Sequence, residues 1–131
     1  KMIHLAPNTT SNIISKSIAL KGGNASYRGT VNIIPNAINS KSIVKCDTLI
    51  LDDESKSDTI PKNKVGNTSS ILEHEATVSK IDEEKLFYLM TRGLTSDKAK
   101  ELLMMGFIDR FREELPMEYA VELNALLKNY F

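Results

Sequence analysis

The chain has 131 residues, of which 41% are hydrophobic, so it is long enough for one compact domain or two small ones. Its 17 basic and 17 acidic residues cancel, and no basic patch stands out, which argues against sequence-independent binding to nucleic acid. The single cysteine excludes an internal disulfide and any metal site made only of this chain's cysteines. No apolar run approaches the ~18 residues that span a bilayer, so no membrane segment is expected.

Residues 1–78 have the composition of short β-strands, being rich in Ile, Val, Thr, Ser and Asn and interrupted by turn residues. Strands are predicted at 12–20, 26–34, 42–51 and 70–78, with a weaker one at 58–65. The breaks lack the Asn-Gly or Asp-Gly pairs that close tight hairpins, and the central strand is apolar on both faces. Both features fit a parallel β-helix, although the pattern alone fits a β-sandwich fragment as well.

Residues 79–131 have a helical pattern, and the sequence therefore predicts a small helical subdomain after a β domain of residues 1–78. Ser79 and Asp82 resemble a capping box before a helix over 81–92, which Gly93 would end. Thr95-Ser96-Asp97 offers the next N-cap, and Pro116 suits the start of a third helix. Gly106 falls inside the second helix, where we expect close packing against a neighbour to explain it.

The triplet Glu73-His74-Glu75 is a candidate site in the last predicted strand. Alternate side chains of a strand share a face, so Glu73 and Glu75 should point one way and His74 the other. The two carboxylates could share a cation, or they could be solvated side chains on an exposed edge. The spacing is not that of the helical His-Glu-x-x-His motif, which argues against a zinc hydrolase.

Cys46 is the second candidate, in the middle of a predicted strand beside Asp47. Free cysteines are usually buried and inert. A neighbouring carboxylate would not lower the pKa of the thiol, because a like charge disfavours the thiolate. From its position alone, Cys46 is therefore better explained as a structural thiol than as a reactive one.

Several blocks, taken in order, carry a resemblance to one family. They are His4-Leu5-Ala6-Pro7-Asn8-Thr9, Ser26-Tyr27-Arg28-Gly29, Cys46-Asp47-Thr48-Leu49, Leu72-Glu73-His74-Glu75-Ala76-Thr77 with Ser79-Lys80, Leu86-Phe87-Tyr88, Arg92-Gly93, Gly106-Phe107 and Glu114-Leu115-Pro116-Met117-Glu118. Together they resemble the C-terminal part of the SufB/SufD family of iron–sulfur cluster assembly scaffolds. The cysteine block and the Glu-His-Glu block favour the SufB branch.

The resemblance implies the end of a right-handed parallel β-helix followed by a helical region. It matches Cys46 to the family's essential cysteine and Glu75 to the glutamate implicated beside it, with Glu73 and His74 as weaker candidates. It also implies a transient iron–sulfur cluster shared with a SufD-like paralogue or a second SufB, and a SufC-like ATPase docked on the helical region. The chain itself would be a scaffold subunit rather than an enzyme, and would bind no cluster stably alone.

The sequence departs from the family pattern at two positions. Ser55 and Asp58 stand where many relatives have a cysteine and a histidine. Any ligand set that draws on residues 52–61 is therefore in doubt.

Two other functions stay open at this point. One is a β-helix protein that binds or cleaves polysaccharide, and the other is an interaction module whose β half only presents the helices. The chain opens in mid-pattern, so we expect a piece of a longer protein that self-associates or binds a partner at its exposed rung. Its Lys-, Asn- and Ile-rich composition is typical of an AT-rich genome and favours the stroma of a plastid such as an apicoplast, with the bacterial cytoplasm as the other compartment.

Overall fold

The computed structural model describes residues 1–129, and positions 130–131 of the predicted helical subdomain lie outside the described residues. The chain divides into two compact units, of which the first spans Lys1–Ser79 and the second begins at Lys80. The first is built of strands and the second of helices, so the mainly β class with C-terminal helices is confirmed.

In residues 1–129 the β unit contains six strands, which the chain places alternately in two sheets. They are β1 (Met2–His4), β2 (Thr10–Ala19), β3 (Asn24–Ile33), β4 (Lys41–Ile50), β5 (Lys56–Val65) and β6 (Ile71–Lys80). The strand orders are β1-β3-β5 and β2-β4-β6. The prediction missed β1, and β5 proves to be as long as its neighbours.

The strand pairs are parallel, and each pair joins strands one circuit of the chain apart. Thr10 of β2 pairs with Lys41 of β4, and Asn24 of β3 pairs with Lys56 of β5. Partners are 31 residues apart in the first pair and 32 in the second. Parallel pairing does not fit an antiparallel sandwich, and it explains why hairpin turns are missing from the sequence.

One corner of this coil is built on a sequence repeat that was not predicted. Ala6-Pro7-Asn8-Thr9-Thr10-Ser11 recurs as Ala37-Ile38-Asn39-Ser40-Lys41-Ser42, 31 residues later. Asn8 and Asn39 both have positive φ, 59° and 53°, which asparagine tolerates better than most residues. The Asn8 N–H donates to the Ile38 carbonyl at 2.9 Å, so successive corners stack.

The core of the β unit lies between the two sheets. It joins Val31 and Ile33 of β3 to Val44 and Cys46 of β4, together with Ala37 of the corner. Burying an Ile or Val side chain fully contributes about 1.5–3 kcal/mol. We call the side of a strand that points into this core its inner face.

The described part of the helical unit contains α1 (Glu83–Thr91), α2 (Ser96–Glu113) and α3 (Met117–Lys128). Thr95 caps α2 by accepting from the Lys98 N–H, and Gly93 follows α1 with φ 94°, both as predicted. The predicted capping box of Ser79 and Asp82 is wrong, because Asp82 itself caps α1 by accepting from the N–H groups of residues 84 and 85. The explanation offered for Gly106 is also wrong, since an added Cβ there would meet nothing within 4 Å.

The helices leave much of their apolar surface exposed. Within the described part of this unit, the buried side chains are Ala99, Met104 and Ile108, all on α2. Phe87 on α1 and Met117 on α3 are among the large apolar side chains that face outward. Among residues 1–129, no helix combines the length and the hydropathy needed to cross a membrane.

Candidate functional site

Cys46 lies on the inner face of β4 and is only 4% exposed. Its position follows from strand alternation, since Lys45 before it points outward while Val44 and Cys46 point into the core. Cys46 pairs with Ser15 of β2 on one side of β4. The other side of β4 faces β6 in the same sheet.

His74 on β6 is the predicted site residue that the structure brings to Cys46. At the start of β6, the Ile71 N–H donates to the carbonyl of Ser40, the residue just before β4, at 2.9 Å. Cys46 Sγ lies 3.6 Å from His74 Nε2. Which of the two atoms donates depends on the imidazole tautomer. A thiol and an imidazole are thus in direct contact inside the β unit.

Tyr27 on β3 completes the cluster from the opposite sheet. Its ring stands edge-on to the imidazole of His74, with centroids 6.2 Å apart and planes at 83°. This is a favoured geometry for aromatic pairs. Tyr27 also packs against the core that contains Cys46. Tyr27 was not among the predicted site residues, although strand alternation places it on the inner face of β3.

The surroundings of Cys46 favour the protonated thiol. Burial raises the pKa of Cys46, and the neighbouring Asp47 carboxylate raises it further. Burial likewise raises the pKa of Tyr27, with the nearby sulfur as the second cause. The free thiol is therefore a poor nucleophile at neutral pH, because the thiolate is the reactive form.

Glu73 and Glu75 lie on the outer face of β6, away from His74. Glu73 pairs with Lys41 at 3.5 Å, and Glu75 pairs with Lys45 at 3.8 Å. The side chain of Glu75 is 67% exposed. Of the predicted site residues, the structure brings Cys46 and His74 together and places both glutamates on the other side of the sheet.

The donor set can supply only part of a metal site. In residues 1–129, no group of three or more His, Cys, Asp or Glu side chains is arranged to hold an ion. The Cys46–His74 pair nevertheless has a suitable separation. A sulfur and a nitrogen bound to one tetrahedral ion lie about 3.6 Å apart, since bonds of about 2.3 and 2.1 Å meet at about 109°.

The two departures from the family pattern have structural roles here. Ser55 is buried in the turn after β4, where its hydroxyl donates to Asp52 Oδ2 at 2.9 Å. Asp58 on β5 accepts from the Asn24 side-chain amide at 3.3 Å on the surface. Each side chain is engaged within its own turn or strand pair.

His4 is a buried histidine whose ring nitrogens are both satisfied. Nδ1 lies 2.6 Å from the Thr9 hydroxyl and Nε2 lies 2.8 Å from the Ser11 hydroxyl. The Ser11 hydroxyl donates in turn to that of Ser42, on the next circuit of the coil. Hydroxyl partners of this kind explain how a polar ring is tolerated in the core.

Comparison with known proteins places this chain in a family. The family model described as "SUF system FeS cluster assembly, SufBD core domain" matches residues 1–107. The chain belongs to the SufBD family. The role of this family is iron–sulfur cluster assembly in the SUF system. This membership decides against the polysaccharide alternative.

Curated relatives agree over nearly the whole chain. The iron–sulfur cluster assembly protein SufB of Bacillus subtilis is 57% identical over 128 residues. SufBD family proteins of Staphylococcus haemolyticus and Staphylococcus aureus are each 59% identical over 128 residues. Each alignment covers 98% of this chain and 28% of the relative, so the chain spans less than a third of their length.

Proposed function

We propose that this chain supplies the point on an iron–sulfur assembly scaffold at which sulfur or iron is received, with Cys46 as the receiving side chain. The observation that supports it is the contact between Cys46 Sγ and His74 Nε2, 3.6 Å apart in the interior of the β unit. Cys46 is the only thiol of a SufBD family chain whose role is cluster assembly.

The Cys46–His74 pair is better suited to passing iron on than to holding it permanently. Incoming iron makes Cys46 a ligand by displacing its proton, since a coordinating thiol is deprotonated. His74 Nε2 lies where it can take up that proton or bind the same ion. One thiolate and one imidazole hold iron less tightly than the four cysteines of a resident cluster. The remaining ligands come from the cargo or from a partner subunit.

Glu75 enters this proposal as an oxygen ligand that acts from the outer face. It cannot share an ion with His74 while β6 is extended, because the two side chains point to opposite sides of the sheet. Its ion pair with Lys45 is exposed and contributes little, so exchange of the lysine for a metal ion costs little. Glu73, paired with Lys41, is the comparable outer-face carboxylate.

We also infer that the two parallel sheets are the last rungs of a right-handed parallel β-helix. Alternation of the strands between sheets and the repeat of 31 to 32 residues support it. In this proposal, residues 1–78 form the C-terminal rungs of the β-helix core, and residues 79–131 form the helical subdomain.

Partner subunits complete the proposed assembly. β5 and β6 are the last strands of their sheets and expose Ile60, Ile71 and Val78. A SufD-like paralogue or a second SufB is proposed to cover them, since exposed strand edges invite pairing. A SufC-like ATPase is proposed to dock on the exposed apolar surface of the helices and to carry the ATP hydrolysis. The compartment is proposed to be the bacterial cytoplasm or a plastid stroma.

Anaerobic reconstitution of the intact protein with its partners tests the role of Cys46. The cluster absorption should be lost in Cys46→Ala and slowed in His74→Ala. Val44→Ala is the matched control, because it removes core volume next to Cys46 without removing a ligand. A Cys46→Ala protein that forms clusters at the wild-type rate would contradict the proposal.

A further inference from the structure

The ring of Tyr27 lies along the inner face of β3, over Gly29. A Cβ added to Gly29 would stand 2.6 Å from each of two ring carbons, Cε1 and Cζ, of Tyr27. Real Cβ atoms do not approach carbon that closely. The Tyr27 ring occupies the space that a side chain at position 29 would need. Any residue other than glycine at this position would therefore displace the ring.

The ring of Tyr27 connects the two sheets at the candidate site. Tyr27 belongs to β3 in one sheet, whereas His74 belongs to β6 in the other. Their edge-on contact, with centroids 6.2 Å apart, crosses the interior of the β unit. His74 thus has Tyr27 on one side and Cys46 Sγ, at 3.6 Å, on another.

His74 needs such a neighbour because it lies on the last strand of its sheet. β6 has β4 on one side only, and most of its side chains are exposed. The half-buried imidazole would otherwise be free to change its rotamer and turn Nε2 away from the sulfur.

We propose that Tyr27 is a positioning residue, and that Gly29 makes room for its ring, so that the imidazole of His74 keeps Nε2 directed at Cys46 Sγ. The importance of this geometry for cluster assembly rests on the function proposed above. The contact between Tyr27 and His74 can be tested in the absence of iron and sulfur.

The test uses the intact protein with its histidines and tyrosines isotopically labelled. Nuclear Overhauser contacts between the Tyr27 ring protons and His74 Hε1 are expected in the wild type. Their absence overturns the proposal without recourse to any variant.

Variants show whether the Tyr27 ring orients His74 or only fills space in the core. Tyr27→Phe keeps the ring and should leave the His74 imidazole shifts near their wild-type values. Tyr27→Leu removes the ring, and Gly29→Ala displaces it while keeping the tyrosine, so both should move those shifts. Val31→Ala is the control, because it lowers the melting temperature from the same face of β3 without removing the ring.

The proposal fails if Tyr27→Leu and Gly29→Ala leave the His74 shifts unchanged, or if Val31→Ala moves them equally. The initial rate of cluster formation is then compared in the same variants. Tyr27→Leu and Gly29→Ala should be slowed about tenfold and Tyr27→Phe less than twofold. If Cys46→Ala is also unimpaired, the proposed function fails, while the histidine shifts still decide the positioning role.

Discussion

Cys46 Sγ and His74 Nε2 lie 3.6 Å apart although 28 residues separate them along the chain. The contact exists because β4 and β6 are neighbours in one sheet and both side chains occupy the inner face. Each residue alone is ordinary, a buried thiol and a half-buried imidazole. Together they place a thiol and an imidazole, two chemical groups that can bind metal ions, in direct contact between the two sheets.

The first prediction concerns the reactivity of Cys46 towards iodoacetamide. Burial and Asp47 raise the pKa of the thiol above its ordinary value of 9.0. The rate of alkylation should therefore be low at neutral pH and should still be rising at pH 9, where a free cysteine is half ionised. Mass spectrometry of the peptide that contains Cys46 measures it, with the urea-unfolded protein as control. A rate that levels off below pH 8 would contradict the expected direction.

The second prediction compares the two outer-face carboxylates of β6. Both are in exposed ion pairs, so Glu73→Gln and Glu75→Gln should each change the free energy of unfolding by less than ~1 kcal/mol. If Glu75 is the oxygen ligand, only Glu75→Gln should slow cluster formation. Urea titration and anaerobic reconstitution provide the two measurements. Equal rates in the two variants would remove Glu75 from the proposed ligand set.

The third prediction concerns the core between the sheets. Ile33 on β3 is fully buried, with 0% exposure, whereas Ile60 on β5 is 52% exposed. Ile33→Ala should lower the free energy of unfolding by about 2–5 kcal/mol, because it removes buried methyl groups and leaves a cavity. Ile60→Ala is the matched control and should lower the free energy of unfolding by much less. Similar losses for the two variants would mean that the assigned core is wrong.

The fourth prediction concerns the start of α1, where Asp82 is the N-cap. Its carboxylate accepts from the N–H groups of Glu84 and Lys85 at 3.1 and 3.2 Å. The hydrogen bond from the Lys85 backbone is the main cause that lowers the pKa of Asp82 below 3.8. A lowered pKa in the folded state stabilises α1 above pH 3.8, and this stabilisation is lost as the pH falls through the folded value.

Asp82→Ala should therefore reduce helical circular dichroism at neutral pH, and the difference from wild type should vanish in acid. Ser79→Ala is the control, since Ser79 was expected to cap this helix and does not. A larger loss in Ser79→Ala than in Asp82→Ala would restore the capping box.

Local patterns were sufficient for much of the fold. Gly93 after α1, the Thr95 cap and the period-2 alternation of the strands depend on residues close in sequence, so they could be predicted without coordinates. Gly106 was misjudged for the opposite reason. Whether a glycine packs closely depends on distant parts of the chain, and here an added Cβ would meet nothing.

In the candidate site, too, some features follow from the local sequence and others depend on distant parts of the chain. The sequence by itself determined that Cys46 is the only thiol, that His74 faces away from Glu73 and Glu75, and that the ordered blocks resemble the SufBD family. These depend on composition, alternation along one strand and motif order. Only the tertiary structure decided that Cys46 meets His74, which in turn meets Tyr27, rather than Glu75. That choice depends on the register between strands a full circuit apart, and a linear sequence does not state which inner faces meet.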